Sequence, residues 1–386
     1  MEVVRRYGIL STACFMLFAV CFPSMWPFPS KKSGSYLGID LGAGGIKLVE
    51  LENVGGKAKL RTYGFTDELT PVRAKFSVGE DPQPVVKEQA RRLAEVVKQA
   101  KATSKVAVAS LPASMVFSAI ITIPKVGKKE FQEVVNREVT KLIPFPLEDA
   151  MLDTRQVPLT DGGDKRVVDR VEQLLVTATR KNVVQVYSDI FTGAGLTLDS
   201  LETESFALIR ALVGKDQNAQ VIVDIGAERT NFLVVDRGVP RIDRSIELGG
   251  RNFDIVLAKA LGVEVSEVGP LKIDLAESAQ HDPNHVGFFS LLENSVSPIL
   301  KEIQYAMEVF ADQNLTEERR PDRIILTGGS AMIPHLSAYI EKTFNLKTVV
   351  GDPWTRVTAP VPLKPLLQQI GPRFSVAIGL AMRNIV

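Results

Sequence analysis

Two stretches of this chain share one grammar: "YLGIDLGAGGIKLVEL" at 36–51 and "VIVDIGAERTNFLVVD" at 221–236. In each, an apolar strand ends in an aspartate, a glycine follows two positions on, and a second apolar strand returns. Asp40 falls on Asp224, Gly42 on Gly226, Ala43 on Ala227, and Leu48-Val49 on Phe232-Leu233. A carboxylate at the end of a buried strand offers hard oxygen to Mg2+, usually through the metal's waters, because Mg2+ gives up water reluctantly. Glycine lets the backbone turn tightly, so that the next amides converge as donors for phosphate oxygens. One such triplet is ordinary turn punctuation. Two of them, each set between apolar strands, constrain the chain to two similar lobes whose hairpins can grip a polyphosphate from both sides.

The rest of each half fits that plan. Segments 36–41, 46–52 and 58–65 read as a three-stranded meander with Gly55-Gly56 as a hairpin turn. Apolar residues Val86, Ala90, Leu93, Val96 and Val97 recur at helical spacing, and a short strand follows at 105–112. The second half restarts with strands at 220–225, 230–236 and 239–246, a helix at 252–261, a long amphipathic helix at about 293–313, a strand at 323–328 and a closing helix in "FSVAIGLAMRN". Between the halves, "VFSAIITIP", a helix ended by Pro144 and Pro146, two strands around the loop 161–165, and a helix near 181–193 make a small α+β unit. The expected divisions are 1–33 as an N-terminal extension and 34–112 as the first lobe. Residues 113–200 form the inserted unit, 201–219 a connecting helix of the first lobe, and 220–386 the second lobe with a helical subdomain at about 250–320.

Composition narrows the chemistry. Lys and Arg number 46 against 45 Asp and Glu, which leaves no basic surface for nucleic acid. Both cysteines, Cys14 and Cys21, precede the folded body, so disulfides and thiolate metal sites are excluded there. His281 and His285 stand four apart, but Pro283 and Gly287 make the stretch loop-like, which argues against a metal pair. Residues 7–22 are nearly uncharged and follow Arg5-Arg6. They fit a short membrane segment or an export signal, although sixteen residues fall short of the roughly 20 that span a bilayer as a helix. A translation start at Met25 is the plainer account.

Lys47, at the start of the first return strand, needs water or a negative partner, and phosphate would serve. Asn231 takes the equivalent place in the second hairpin. "LTGGSAMIP" at 326–334 is a third glycine turn, in which Gly328 and Gly329 admit a flat purine or ribose and Ser330 is expected to cap the following helix.

Taken together, two D-[LI]-G hairpins, an intervening subdomain, a late L-T-G-G turn and a final helix of small residues resemble the nucleotide site of the actin, Hsp70 and sugar-kinase superfamily. More closely, "YLGIDLGAGGIKLVEL", "LIPFPLEDAMLD", "VDIGAERTNFLVVDRGVPRIDRSIELGG" and "RIILTGGSAMIPHL" are similar to the PilM family, actin-like proteins of type IV pilus assembly, over about residues 34–386. The resemblance implies an actin-like, ribonuclease H-like two-lobed α/β ATPase fold that binds ATP and Mg2+. It carries Asp40, Gly42, Ala43, Gly44, Gly45 and Lys47 to a first phosphate motif and Asp224, Gly226 and Thr230 to a second. Gly328, Gly329 and Ser330 become the adenosine turn, and Gly249, Gly250 and Lys272 the region bordering the base. Asp40 and Asp224 would meet Mg2+ through water, and Glu204 matches an acidic residue that could touch the metal or its waters. It implies a peripheral, cytoplasmic protein at the inner membrane, at most a slow ATPase. Its partner would be the cytoplasmic N-terminal peptide of a bitopic PilN-like protein, with other platform and motor proteins and self-association as further contacts. Two alternatives remain at this stage. A small-molecule kinase would need Asp153 or Glu202 as base, and an FtsA-like filament protein would end in an amphipathic membrane helix, where this chain ends at "AMRNIV".

Overall fold

The computed structural model describes residues 34–66, 81–158, 170–269, 271, 287–313 and 319–385. The N-terminal stretch 1–33, the loop 161–165, Lys272, His281 and His285 lie outside the described residues. The first half opens with β1 (Ser35–Gly42), β2 (Gly45–Val54), β3 (Lys57–Phe65), α1 (Gln83–Gln99) and β4 (Val106–Leu111). There follow β5 (Val116–Pro124), α2 (Lys128–Thr140), β6 (Ala150–Val157), β7 (Val171–Arg180), α3 (Lys181–Gly193) and β8 (Thr197–Thr203). A short helix, α4 (Glu204–Leu208), runs on through a π-helical turn at Ile209–Val213. The second half comprises β9 (Gln220–Ile225), β10 (Thr230–Asp236), β11 (Val239–Ile246), α5 (Gly250–Leu261), α6 (Gly287–Gln313), β12 (Arg323–Thr327), α7 (Leu336–Phe344) and β13 (Thr348–Val350). The chain closes with β14 (Val357–Thr358), α8 (Lys364–Ile370) and α9 (Ser375–Met382).

The sequence repeat is a repeat of topology. The first sheet runs β14-β3-β2-β1-β4-β8 and the second β11-β10-β9-β12-β13. Each contains an antiparallel meander followed by two parallel strands: β1 pairs with β4 and β4 with β8, as β9 pairs with β12 and β12 with β13. The central strands are covered on both faces, which is why they read as nearly continuous apolar runs. Leu37, Ile39 and Leu48 pack under α1 and α3, while Val49, Leu51 and Leu60 pack under α9. Val221, Val223 and Phe232 meet α5, α6 and α7. A further core joins the lobes, where Val108, Ala207 and Leu208 meet Ile222, Leu233, Ile325 and Leu380.

The third sheet, β5-β7-β6, buries one face against α2 through Ile121, Ile123, Val135, Val139 and Val176. Two expected boundaries shift. The inserted unit was expected to run to 200, but α3 packs against α1 and β8 lies beside β4, so the chain has rejoined the first lobe by residue 181. The second lobe was expected to run to 386, yet β14 pairs with β3 and α9 lies on β1 and β2, so the C-terminal segment also belongs to the first lobe. Small residues make this return close: a Cβ on Gly38 of β1 would sit 2.9 Å from Cβ of Ala381 and strike the backbone of Ala377. Phe374 adds edge-on contacts to Tyr63 and Phe65, with ring centres 5.8 Å apart in both pairs. Among the described residues no helix is long and apolar enough to cross a membrane.

Candidate functional site

The two hairpins place their aspartates identically. Asp40 pairs across the β1–β2 ladder with Lys47, and Asp224 across β9–β10 with Asn231. Lys47 Nζ lies 3.9 Å from Oδ2 of Asp40 and donates to the carbonyl of Gly45 at 3.1 Å. The hairpin tips converge, since a Cβ on Gly44 would lie 3.0 Å from Cβ of Ala227. Gly42 leaves room beside the charged pair: a Cβ there would press on Lys47 Nζ at 3.3 Å and Asp40 Oδ2 at 3.4 Å. Gly45, with φ of 98°, closes the first turn in a conformation that favours glycine.

Electrostatics bind the aspartates into one cluster. Burial pushes the Asp40 carboxyl above the ordinary carboxylate range, and Lys47 opposes the shift. Burial, and then the charge of Asp40, push Asp224 up to about 6. Glu204, at the start of α4, is raised well above its usual value by burial and by Asp40 and Asp224. Three acids thus share one neighbourhood in which Lys47 is the cation acting on both aspartates, an arrangement that stores a demand for added positive charge. Among the described residues no three His, Cys, Asp or Glu side chains cage a metal ion directly. The oxygen donors of Asp40 and Asp224 are of the hard kind that suits a cation keeping its own waters. A fully buried tyrosine hydroxyl supports this fit: Tyr187 Oη lacks a hydrogen-bond partner, while Glu204 and Asp40 act on it through space.

Around the second hairpin, the glycine turns interlock through backbone bonds. The amide of Gly250 donates to the carbonyl of Gly226 at 2.8 Å, that of Arg251 to Ala227 at 2.9 Å, and that of Ser330 to Ile225 at 3.2 Å. Gly249 packs on the Ala227 backbone, where a Cβ would lie 2.7 Å from its carbonyl oxygen. Gly328 adopts φ of 87° with Asp224 Oδ1 only 2.5 Å from where a Cβ would stand, so this position requires glycine. Gly329 is more open, its nearest neighbour being Arg373 Cγ at 3.8 Å from a built Cβ. The structure thus brings together the Gly42–Gly45 turn, both aspartates, Lys47, Glu204 and the Gly226, Gly249-Gly250 and Gly328–Ser330 turns. Thr230 belongs to the same hairpin, but its hydroxyl is committed to the carbonyl of Leu248 at 2.7 Å.

One local expectation fails. Ser330 does not cap a helix: residues 328–334 form successive turns, and α7 begins only at Leu336, after His335 with φ of 63°. The kinase-type bases fare no better. Glu202 is held by Arg210 at 2.7 and 2.9 Å, and Asp153 lies within the β6–β7 ladder opposite Thr177. Residues the sequence reading passed over are Tyr187, hidden in an ordinary apolar helix pattern, and the pair Ser205 and Asp243. Asp243 left a signal, an acid within the alternating strand "RIDRSI"; it bonds Ser205 Oγ at 2.5 Å and is pushed by burial up to about 6.

Two sheets of matching topology, a carboxylate hairpin in each and a helix joining them define an actin-like fold. The sequence matches the type IV pilus assembly protein PilM family over residues 38–385, and the chain belongs to that family. Among solved structures, it is similar to the PilM–PilN type IV pilus biogenesis complex, at 25% identity with a TM-score of 0.74, covering 92% of this chain and 99% of that one. More distant likenesses include the ethanolamine utilization protein EutJ from Carboxydothermus hydrogenoformans, at 15% identity, coverage of 96% of each chain and a TM-score of 0.49. MreB5 of Spiroplasma citri bound to ADP matches at 14% identity, 91% and 95% coverage and a TM-score of 0.46.

Proposed function

We propose that this pilus assembly protein is a nucleotide-binding scaffold that holds the cytoplasmic N-terminal peptide of a PilN-like membrane protein at the inner membrane. The observation that carries the reading is the approach of the two aspartate hairpins, which gathers Asp40, Asp224 and Glu204 into one buried group of acids. Asp40 and Asp224 would hold Mg2+ through its waters, Lys47 and the amides of the Gly42–Gly45 turn would meet the phosphates, and the Gly249-Gly250 and Gly328–Ser330 turns would flank the nucleoside. When bound, Mg2+ would supply the positive charge that offsets the carboxylates, Lys47 and the turn amides would offset the phosphates, and the nucleotide would bridge the lobes. Glu202 is held by arginine and Glu204 accepts from Asn231, so neither is placed as a free general base, which favours slow turnover. The partner is inferred from the 25% identical relative, which aligns with 92% of this chain over 99% of its own length and whose structure is a PilM–PilN complex. The inserted unit would form one wall of the peptide groove.

Calorimetry tests the reading. Mg-ATP is expected to bind the wild type and to lose measurable binding on Asp40→Ala, with an unchanged far-ultraviolet spectrum. Equal affinity in the two proteins would overturn it.

A further inference from the structure

The first turn of α4 ties three parts of the molecule together through three consecutive side chains. Glu204 Oε2 accepts from Asn231 Nδ2 of β10 at 3.0 Å and from the amide of Ala113 at 3.3 Å. Ser205 Oγ bonds Asp243 of β11 at 2.5 Å. Phe206 lies under the guanidinium of Arg155 of β6, 4.4 Å from the ring centre. Ala113 opens the short turn Ala113–Met115 that leads into β5, rests against β11, and is joined to β7 where Thr179 donates to the Met115 carbonyl at 2.9 Å. Asn231 and Asp243 therefore fasten this turn of α4 to the second lobe, while Ala113 and Arg155 fasten it to the inserted sheet.

Next to this junction lies a cavity of about 490 Å³ between the inserted sheet and the second lobe. Ser118, Ile120 and Gln173 line one side, and Arg241, Asp243 and Tyr305 the other. The strands that face each other there, β5 and β11, are both edge strands of their sheets. Any rotation of the β9–β11 meander toward the first hairpin must carry Asn231 and Asp243 with it, because the antiparallel register locks the three strands. We propose that Glu204, Ser205 and Phe206 couple occupancy of the carboxylate cleft to the spacing of β5 and β11, so that nucleotide regulates access to the cavity between the inserted sheet and the second lobe. This rests on the nucleotide reading above. The warrant is a continuous set of packed and hydrogen-bonded groups joining the two places, and coupling of this kind is reciprocal.

Hydrogen exchange on the full chain, with and without Mg-ATP, tests the coupling. In the wild type, Mg-ATP is expected to slow exchange in both 116–124 and 239–246 by about fivefold or more, the low end of typical couplings. Ala113→Pro removes the amide that bonds Glu204 and leaves every side chain of the cleft in place. Pro112 already has the extended ψ of 139° that a residue before proline requires, and position 113 starts a helical turn, where proline is tolerated. This variant is expected to bind Mg-ATP within about twofold of wild type, a difference of about 0.4 kcal/mol, and to lose the response at 116–124 while keeping that at 239–246. Phe206→Leu, which keeps the apolar volume but removes the ring beneath Arg155, is expected to weaken the same response. A full response at 116–124 in both variants, or none in a wild type that binds Mg-ATP, would overturn the coupling alone. A wild type that binds no Mg-ATP would overturn the nucleotide reading and this inference with it.

Discussion

Asn231 reaches Glu204 at 3.0 Å from the position directly across the ladder from Asp224, the place that Lys47 holds opposite Asp40 in the first hairpin. The two hairpins differ at this cross-strand site, which gives a cation to one lobe and an amide donor to the other. The amide keeps Glu204 turned toward the second lobe without neutralising the cleft. Asn231→Asp removes that donor and adds a fourth carboxylate, so it is expected to lower unfolding free energy by about 2 kcal/mol or more. Asn231→Lys, which copies the first hairpin and can pair with Glu204, is expected to cost less. Urea titrations at neutral pH check the order.

Stability should depend on pH through Asp224. Its folded value of about 6 stands above its ordinary 3.8, so the folded chain binds the proton more tightly than the unfolded one. The stability this group contributes is complete below about pH 4 and is lost as pH rises through about 6. Asp224→Asn cannot ionise. It is therefore expected to match the wild type near pH 4 and to exceed it near pH 7.5 by up to about 3 kcal/mol, the equivalent of about two pH units. Paired urea titrations at the two pH values read the difference, and a constant offset would place the origin of the shift elsewhere.

Tyr187 offers a contrasting case, since its buried hydroxyl lacks a hydrogen-bond partner. Tyr187→Phe gives up no bond in the free protein and is expected to keep or raise its melting temperature, because an unpaired buried polar group costs about 1–3 kcal/mol. If the hydroxyl completes the shell of a bound Mg-nucleotide, the rise in melting temperature on adding Mg-ATP will be smaller in the variant. Thermal scans of both proteins with and without ligand decide it.

The approach of the hairpin tips can be tested by adding bulk. Gly44→Val places methyl groups where Ala227 Cβ already stands 3.0 Å from a built Cβ, and should hold the tips apart. Mg-ATP affinity is expected to fall about tenfold, about 1.4 kcal/mol, with little change in urea midpoint. Ala227→Gly in the same chain should restore part of the loss, a coupling that independent sites would not show.

How much was legible in the sequence depended on the range of the forces involved. The hairpins were readable because alternation, Asp-x-Gly and a glycine turn are local codes, and β1, β2, β9 and β10 fell where those codes put them. The fate of the C-terminal segment was not, because residues that meet there lie at opposite ends of the chain: Gly38 is a partner of Ala377 and Ala381 only once the sheet exists. The small residues of "AIGLAM" did advertise close packing without naming the surface. Tyr187 was hidden for a related reason, since an apolar helix face does not reveal which hydroxyl will be stranded. Ser330 misled through a valid local rule, overridden when its amide bonded Ile225 and the segment ran on in turns.

The return of α9 to the first sheet makes Gly38 a test of domain assignment. Its absent side chain lets helix backbone lie against strand backbone, a contact that cannot yield by a change of rotamer. Gly38→Ala forces Ala377 and Ala381 outward and is expected to cost about 3 kcal/mol, the upper end of overpacking penalties. Gly127→Ala, where a Cβ would have nothing within 4 Å, is the control and should stay within about 0.5 kcal/mol of wild type. Because Arg373 and Arg383 flank α9, loosening it should expose both to trypsin. Limited digestion of Gly38→Ala is therefore expected to trim the C-terminus while leaving the β9–β13 sheet intact. Early cleavage inside 220–352 instead would mean that the segment is anchored on the second lobe.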